Sequence, residues 1–92
     1  MRFEFKPSFD RSVKAFHGKE KEEIKKVAIQ TIDILSQDRV IHKGIGLKHL
    51  KGNFWEVRHG LKARILFRWE KDLVEFVLAG SHDDIKRYLK SI

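Results

Sequence analysis

The spacing of apolar residues changes several times along the chain, and each change marks an element. Arg2-Phe3-Glu4-Phe5-Lys6 alternates charged and apolar positions, the period of a half-buried strand, and Pro7 ends it. A short helix from about Phe9 to Phe16 follows, with Ser8 available as its cap. It sets Phe9, Val13 and Phe16 on one face, and Gly18 stops it. From Lys19 to about Ser36, Ile24, Val27, Ala28, Thr31, Ile32 and Leu35 recur at i, i+3, i+4 and i+7 opposite a face laced with Lys and Glu, the clearest helical signal in the chain. Joined by a Gly-Lys turn, the two helices form an antiparallel hairpin that lies on one face of a sheet.

Between Gln37 and Asn53 the periodicity breaks. Gly44, Gly46 and Gly52 with Lys43, Lys48 and Lys51 mark a loop, pinned by Leu47 and Leu50. Three strands then follow in close order, Phe54 to His59, Ala63 to Trp69 and Leu73 to Ala79. They are separated by the turn signals His59-Gly60-Leu61-Lys62 and Glu70-Lys71-Asp72, and connections this short require antiparallel neighbours. Trp55 and Val57 point to one face and Glu56 and Arg58 to the other, while Ile65, Phe67 and Trp69 oppose Arg64, Leu66 and Arg68. One face is then core and the other is mixed, basic and open. Ser81, in Gly80-Ser81-His82-Asp83-Asp84, caps a last short helix that runs through Tyr88 and Leu89. The expected fold is α+β: an antiparallel, partly mixed sheet of about four strands, an N-terminal helix hairpin on one face and a short C-terminal helix.

Composition narrows the classes. A chain of 92 residues makes one domain with a modest core. Without cysteine it has no disulfides and no thiolate metal ligands. No apolar run approaches the ~18 residues of a membrane-spanning helix, and no secretory leader is visible, so the cytoplasm is the expected compartment and no membrane partner is expected. The histidines lack a His-x₃-His pair or a compact cluster with carboxylates, so neither a metal site nor a cofactor is expected. Charge is the positive signal. Of a net +7, most sits between Ile41 and Arg68, where Lys43, Lys48, Lys51, Arg58, Lys62, Arg64 and Arg68 face the single acid Glu56 and are interleaved with Phe54, Trp55, Val57, Ile65, Leu66, Phe67 and Trp69. Basic residues on a folded strand surface make a binding site for phosphates.

Three local signatures, taken in order and spacing, resemble the RelE/ParE superfamily of small bacterial and archaeal toxins. They are Gly46-Leu47-Lys48-His49-Leu50-Lys51-Gly52 before the first core strand, Trp55-Glu56-Val57-Arg58 followed by Ala63-Arg64-Ile65-Leu66-Phe67, and Gly80-Ser81-His82 with Tyr88 six residues beyond the histidine. The resemblance covers essentially the whole chain. It implies a toxin neutralised by a cognate antitoxin and, in the RelE branch, cleavage of mRNA on the ribosome. Operator DNA would be bound only through the toxin–antitoxin complex. Arg64 matches the arginine of the family's Tyr/Phe-Arg-aliphatic strand, with Ala63 departing from the residue before it. Arg58 matches a basic position on the preceding strand, His82 an arginine or histidine after the third strand, and Tyr88 a tyrosine near the C-terminus. Glu56 stands where some relatives place a lysine; it is either a base in its own right or an ion-pair partner of Arg58 or Arg64.

The chemistry stands beside the resemblance. Metal-free RNA cleavage takes a proton from the 2′-hydroxyl, steadies a pentavalent phosphate and protonates a leaving 5′-oxygen. Arg64 and Arg58 suit the phosphate, because a guanidinium offers paired donors and stays charged. His82, with an ordinary pKa of about 6.5, suits proton transfer. Tyr88 stacks on a base, donates a hydrogen bond or shares the proton work. Lys48, Lys51, Lys43, Lys62 and His49 are the residues expected to hold flanking RNA. The plainer reading of Arg58, Arg64 and Arg68 is solvated strand residues paired with Glu56 or Glu75, and that of Tyr88 is a ring packed on the sheet. Two functional alternatives stay open: a ParE-like gyrase inhibitor sharing the fold, and a catalytically inactive binding module.

Overall fold

The computed structural model describes residues 1–37, 46–58, 60 and 62–92. Its elements in chain order are β1 (Arg2–Phe5), α1 (Pro7–Lys14), α2 (Gly18–Ser36), β2 (Lys48–His49), β3 (Phe54–Val57), β4 (Arg64–Glu70), β5 (Leu73–Gly80) and α3 (His82–Lys90). The fold is α+β, with a five-stranded sheet in the order β1-β5-β4-β3-β2. β1 runs parallel to β5 and every other pair is antiparallel. The fifth strand is β2, two residues long, inside the segment that sequence alone reads as loop.

α1 starts earlier than its hydrophobic period suggests. Pro7 takes the first helical position, where its missing N–H costs nothing, and Lys6 is the N-cap with no side-chain bond. Ser8 is thereby released from capping and donates to Val77 O at 2.6 Å. Lys6 N donates to Phe76 O at 2.9 Å, and Ser12 Oγ accepts from Ala79 N at 2.9 Å while donating to Phe9 O at 2.8 Å. β1 pairs with β5 only over Leu73–Phe76, and beyond that point α1 takes up the edge with these hydroxyls. An exposed strand edge, the usual template for unwanted pairing, is covered by a helix. Gly18, at φ +57°, carries the chain from α1 into α2 in a conformation a side chain would strain.

Two apolar clusters lie on opposite faces of the sheet. The larger is built from Phe9 and Val13 of α1, Ile24, Val27, Ala28 and Leu35 of α2, and Val57, Ile65, Phe67, Val74, Phe76 and Ala79 beneath them. Phe76 and Ala79 are three residues apart, which in a regular strand sends them to opposite faces. A bulge reconciles them: Phe67 pairs with Phe76 and Leu66 with Leu78, so Val77 is an extra residue and both core side chains keep one face. The β4–β5 hairpin closes over Lys71 and Asp72, with Lys71 at φ 55°.

The second cluster corrects the expectation of an open face. α3 lies across it, setting Ile85, Tyr88 and Leu89 on Leu66, Val77, Leu78, Phe54 and Leu50. Leu66 and Val77 are apolar on the side opposite the main core, and removing them from water is worth about 1.5–3 kcal/mol each. That gain requires a cover, and the last helix supplies it. The basic residues of this face are displaced to the two ends of β4.

Candidate RNA-binding and cleavage site

Arg64 opens β4 and pairs in register with Gly80, the last residue of β5; two residues later His82 opens α3. Arg64 Nε donates to Glu56 Oε2 at 3.1 Å, and the Glu56 side chain is only 7% exposed. Lys48 of β2 is directly opposite Glu56 of β3, so Lys48, Glu56 and Arg64 share the face that α3 partly covers. Lys48 is exposed. Arg58 lies one residue past β3, exposed and without an ion pair among the described residues.

The start of α3 is held by a reciprocal cap. Ser81 Oγ accepts from Asp84 N at 3.1 Å, and Asp84 Oδ2 accepts from Ser81 N at 2.9 Å. The Ser81 backbone N–H, then the Ser81 side chain, hold the Asp84 carboxyl below its ordinary pKa, with a smaller contribution from Arg87, whose Nη1 donates to Asp84 Oδ1 at 3.2 Å. Asp84 is therefore occupied by the cap. Gly80 is needed for this closure, since a Cβ there would stand 2.8 Å from Asp84 Oδ2. His82 is exposed on the first turn, and its side chain hydrogen-bonds to nothing among the described residues.

Other expected residues are placed elsewhere. Tyr88 packs its ring edge-on to Phe54, centroids 6.3 Å apart, within the cluster under α3. It also borders a cleft of about 640 Å³ between α1 and α3, floored by Phe16, Leu78 and Ala79. His49 is on the opposite face from Arg64: it pairs with Trp55, lies 4.9 Å from that indole, and its Nε2 sits 2.7 Å from Gly52 O. Strand alternation sends Lys48 and His49 to different faces, which a loop reading cannot reveal. Lys51, in the β2–β3 turn, and Lys62, in the β3–β4 connection, are exposed. Lys43 lies outside the described residues.

At the far end of β4 the charges are neutralised. Arg68 Nη1 meets Glu75 Oε1 at 3.1 Å and Nη2 meets Glu70 Oε2 at 2.7 Å, while Lys6 Nζ meets Glu75 Oε2 at 3.2 Å. The Lys6 hydrogen bond is the largest influence holding Glu75 below its ordinary pKa; Arg68 adds to it and burial opposes both. Arg68 is thus a structural residue. Among the described residues, no group of three or more His, Asp or Glu side chains is placed to hold a metal ion, and no helix is long and apolar enough to cross a membrane.

The arrangement of helices on a five-stranded sheet is shared with solved structures: the chain has the fold of the RelE and YafQ toxins. RelE in the RelB–RelE antitoxin–toxin complex from Methanococcus jannaschii is 21% identical, with 92% of this chain and 96% of that one covered and a TM-score of 0.66. YafQ of the Escherichia coli DinJ–YafQ complex is 12% identical, with 92% and 98% covered and a TM-score of 0.68. A metal-bound toxin from Helicobacter pylori is 18% identical, with 92% and 98% covered and a TM-score of 0.68. No protein-family model and no curated protein matches the sequence.

Proposed function

We propose that the chain is a single toxin domain, residues 1–92, of a toxin–antitoxin system, and that it is a ribosome-associated endoribonuclease that cleaves mRNA and halts translation in the cytoplasm. The observation that supports this reading is the register that puts Arg64 opposite Gly80, two residues before His82, and Lys48 opposite Glu56, the ion-pair partner of Arg64, on the same sheet face. Arg64 receives the scissile phosphate and steadies the charge that builds as the 2′-hydroxyl attacks. Arg58 and Lys48 hold neighbouring phosphates, with Lys51 and Lys62 further along the strand of RNA. His82 moves the proton, taking it from the 2′-hydroxyl or giving it to the departing 5′-oxygen. Tyr88 reaches this chemistry only through its hydroxyl, since its ring is committed to packing.

The partner is a cognate antitoxin that covers a sheet edge or helix groove and brings operator DNA within reach of the complex. RelE and YafQ are each seen with such a partner, RelB and DinJ. The test is cleavage of a defined mRNA, with and without programmed ribosomes, by the wild type, Arg64→Ala and His82→Ala. Arg64→Ala should lose about 10²–10³ in rate, the scale for one donor aimed at a developing charge. Full cleavage by both variants would refute the site. An intact message with wild type in every lane would move the function to gyrase inhibition, read as arrest of DNA supercoiling, or to an inactive binding module.

A further inference from the structure

Arg64 and Glu56 meet in a way that assigns them different tasks. The contact is made by Nε alone, at 3.1 Å from a single carboxylate oxygen, and the terminal amino groups of Arg64 donate to nothing among the described residues. The Glu56 side chain is 7% exposed and that of Arg64 20%, so the acid is the more deeply buried partner, and the terminal nitrogens of Arg64 are not among the buried polar atoms without a partner. Charged neighbours are Lys48 of β2, directly opposite Glu56, and Arg58, one residue past the end of β3; Leu66 of β4 closes the other side.

We infer that Glu56 is a positioning residue: it fixes the plane of the Arg64 guanidinium through Nε and turns both terminal amino groups toward a phosphate, and it is not the base that receives the 2′-hydroxyl proton. A base must come within about 2.6–3.2 Å of the hydroxyl it deprotonates. Glu56 cannot do so while it is buried and bonded under Arg64. An arginine paired end-on through its terminal nitrogens would be consumed by its acid, whereas one held by Nε keeps its bidentate fork for the substrate. Lysine carries its three donors on a single nitrogen, so Arg64→Lys cannot hold the acid with one nitrogen while presenting a planar two-nitrogen fork to the phosphate. The catalytic consequence rests on the nuclease reading above; the positioning itself does not.

Two readouts separate these. The ¹Hε–¹⁵Nε NMR signal of Arg64 is followed in the wild type, Glu56→Gln and Glu56→Ala, with inorganic phosphate as the probe. It should be slow to exchange in the first two, whose carbonyl or carboxylate oxygen accepts the Nε–H, and lost to exchange in Glu56→Ala. The mRNA cleavage rate is followed against pH in the same proteins and in Arg64→Lys. Glu56→Gln should cleave within about tenfold of wild type with the acid limb of its pH profile unmoved, while Glu56→Ala and Arg64→Lys fall about 10²-fold or more. A dead Glu56→Gln, or one whose acid limb disappears, would make Glu56 the base and overturn the inference. An unchanged Arg64 signal in Glu56→Ala would overturn it as well. If the wild type cleaves no RNA, the nuclease reading fails, and the NMR arm alone decides whether Glu56 positions Arg64.

Discussion

Replacing Gly80 by Ala probes the joint on which the candidate site hangs. The new Cβ would lie 2.8 Å from Asp84 Oδ2 and 2.9 Å from Asp84 Cβ, closer than such atoms approach, so the Asp84 side chain must swing away. It then loses its bond from Ser81 N, and the reciprocal cap of α3 opens. Loss of an N-cap costs about 1 kcal/mol, and the residual crowding of the two Cβ atoms raises the expected total to about 1–2 kcal/mol. For a domain this size, thermal unfolding should shift down by about 4–8 °C per kcal/mol. Circular dichroism melts of Gly80→Ala against wild type measure it. The three atoms nearest the added methyl all belong to Asp84, so Gly80→Ala introduced into an Asp84→Gly background should carry no further cost. A melting point for Gly80→Ala within about 1 °C of wild type, or an undiminished cost in the Asp84→Gly background, would refute the reasoning. On the proposed nuclease reading, cleavage should fall with the cap, because His82 sits on its first turn.

Glu75 sets an acid limit to stability. Its folded pKa lies below the ordinary 4.5, so the stabilisation it brings is fully present above about that pH and is lost as pH falls through the lower folded value. Glu75→Gln should therefore be less stable than wild type near neutrality, by about 1–3 kcal/mol, and the two should converge in acid, as urea titrations across pH would read. Convergence in the opposite direction would remove the Lys6–Glu75–Arg68 group from the account. Ser12→Ala should cost about 1–3 kcal/mol, since it leaves Ala79 N without the acceptor that covers the β5 edge; amide exchange at Ala79 should quicken by the same free energy. A protected Ala79 amide in that variant would mean another group seals the edge.

Local period was enough to read most of this protein. Helices at α1 and α2, the meander β3-β4-β5, the inward set Ile65 and Phe67 and the Ser81 cap all follow from side-chain alternation and spacing, properties that neighbouring residues determine among themselves. Arg64 and His82 stood out as candidates because their residue types fall where the family resemblance places them, whereas Glu56 stayed ambiguous, because whether a carboxylate is free or engaged depends on which strand stands beside it. Only the assembled sheet decides that Lys48 faces Glu56, that His49 turns to the other side against Trp55, and that Arg68 is neutralised by Glu75 and Glu70. The same holds for the parallel pairing of β1 with β5, the bulge at Val77 and the covering of Leu66 by α3. These join residues distant in the chain, and their free energy comes from burial and from charges brought together across strands. The sequence carries the alternation within each element; the partners that cancel or expose a charge are chosen by the packing of all of them.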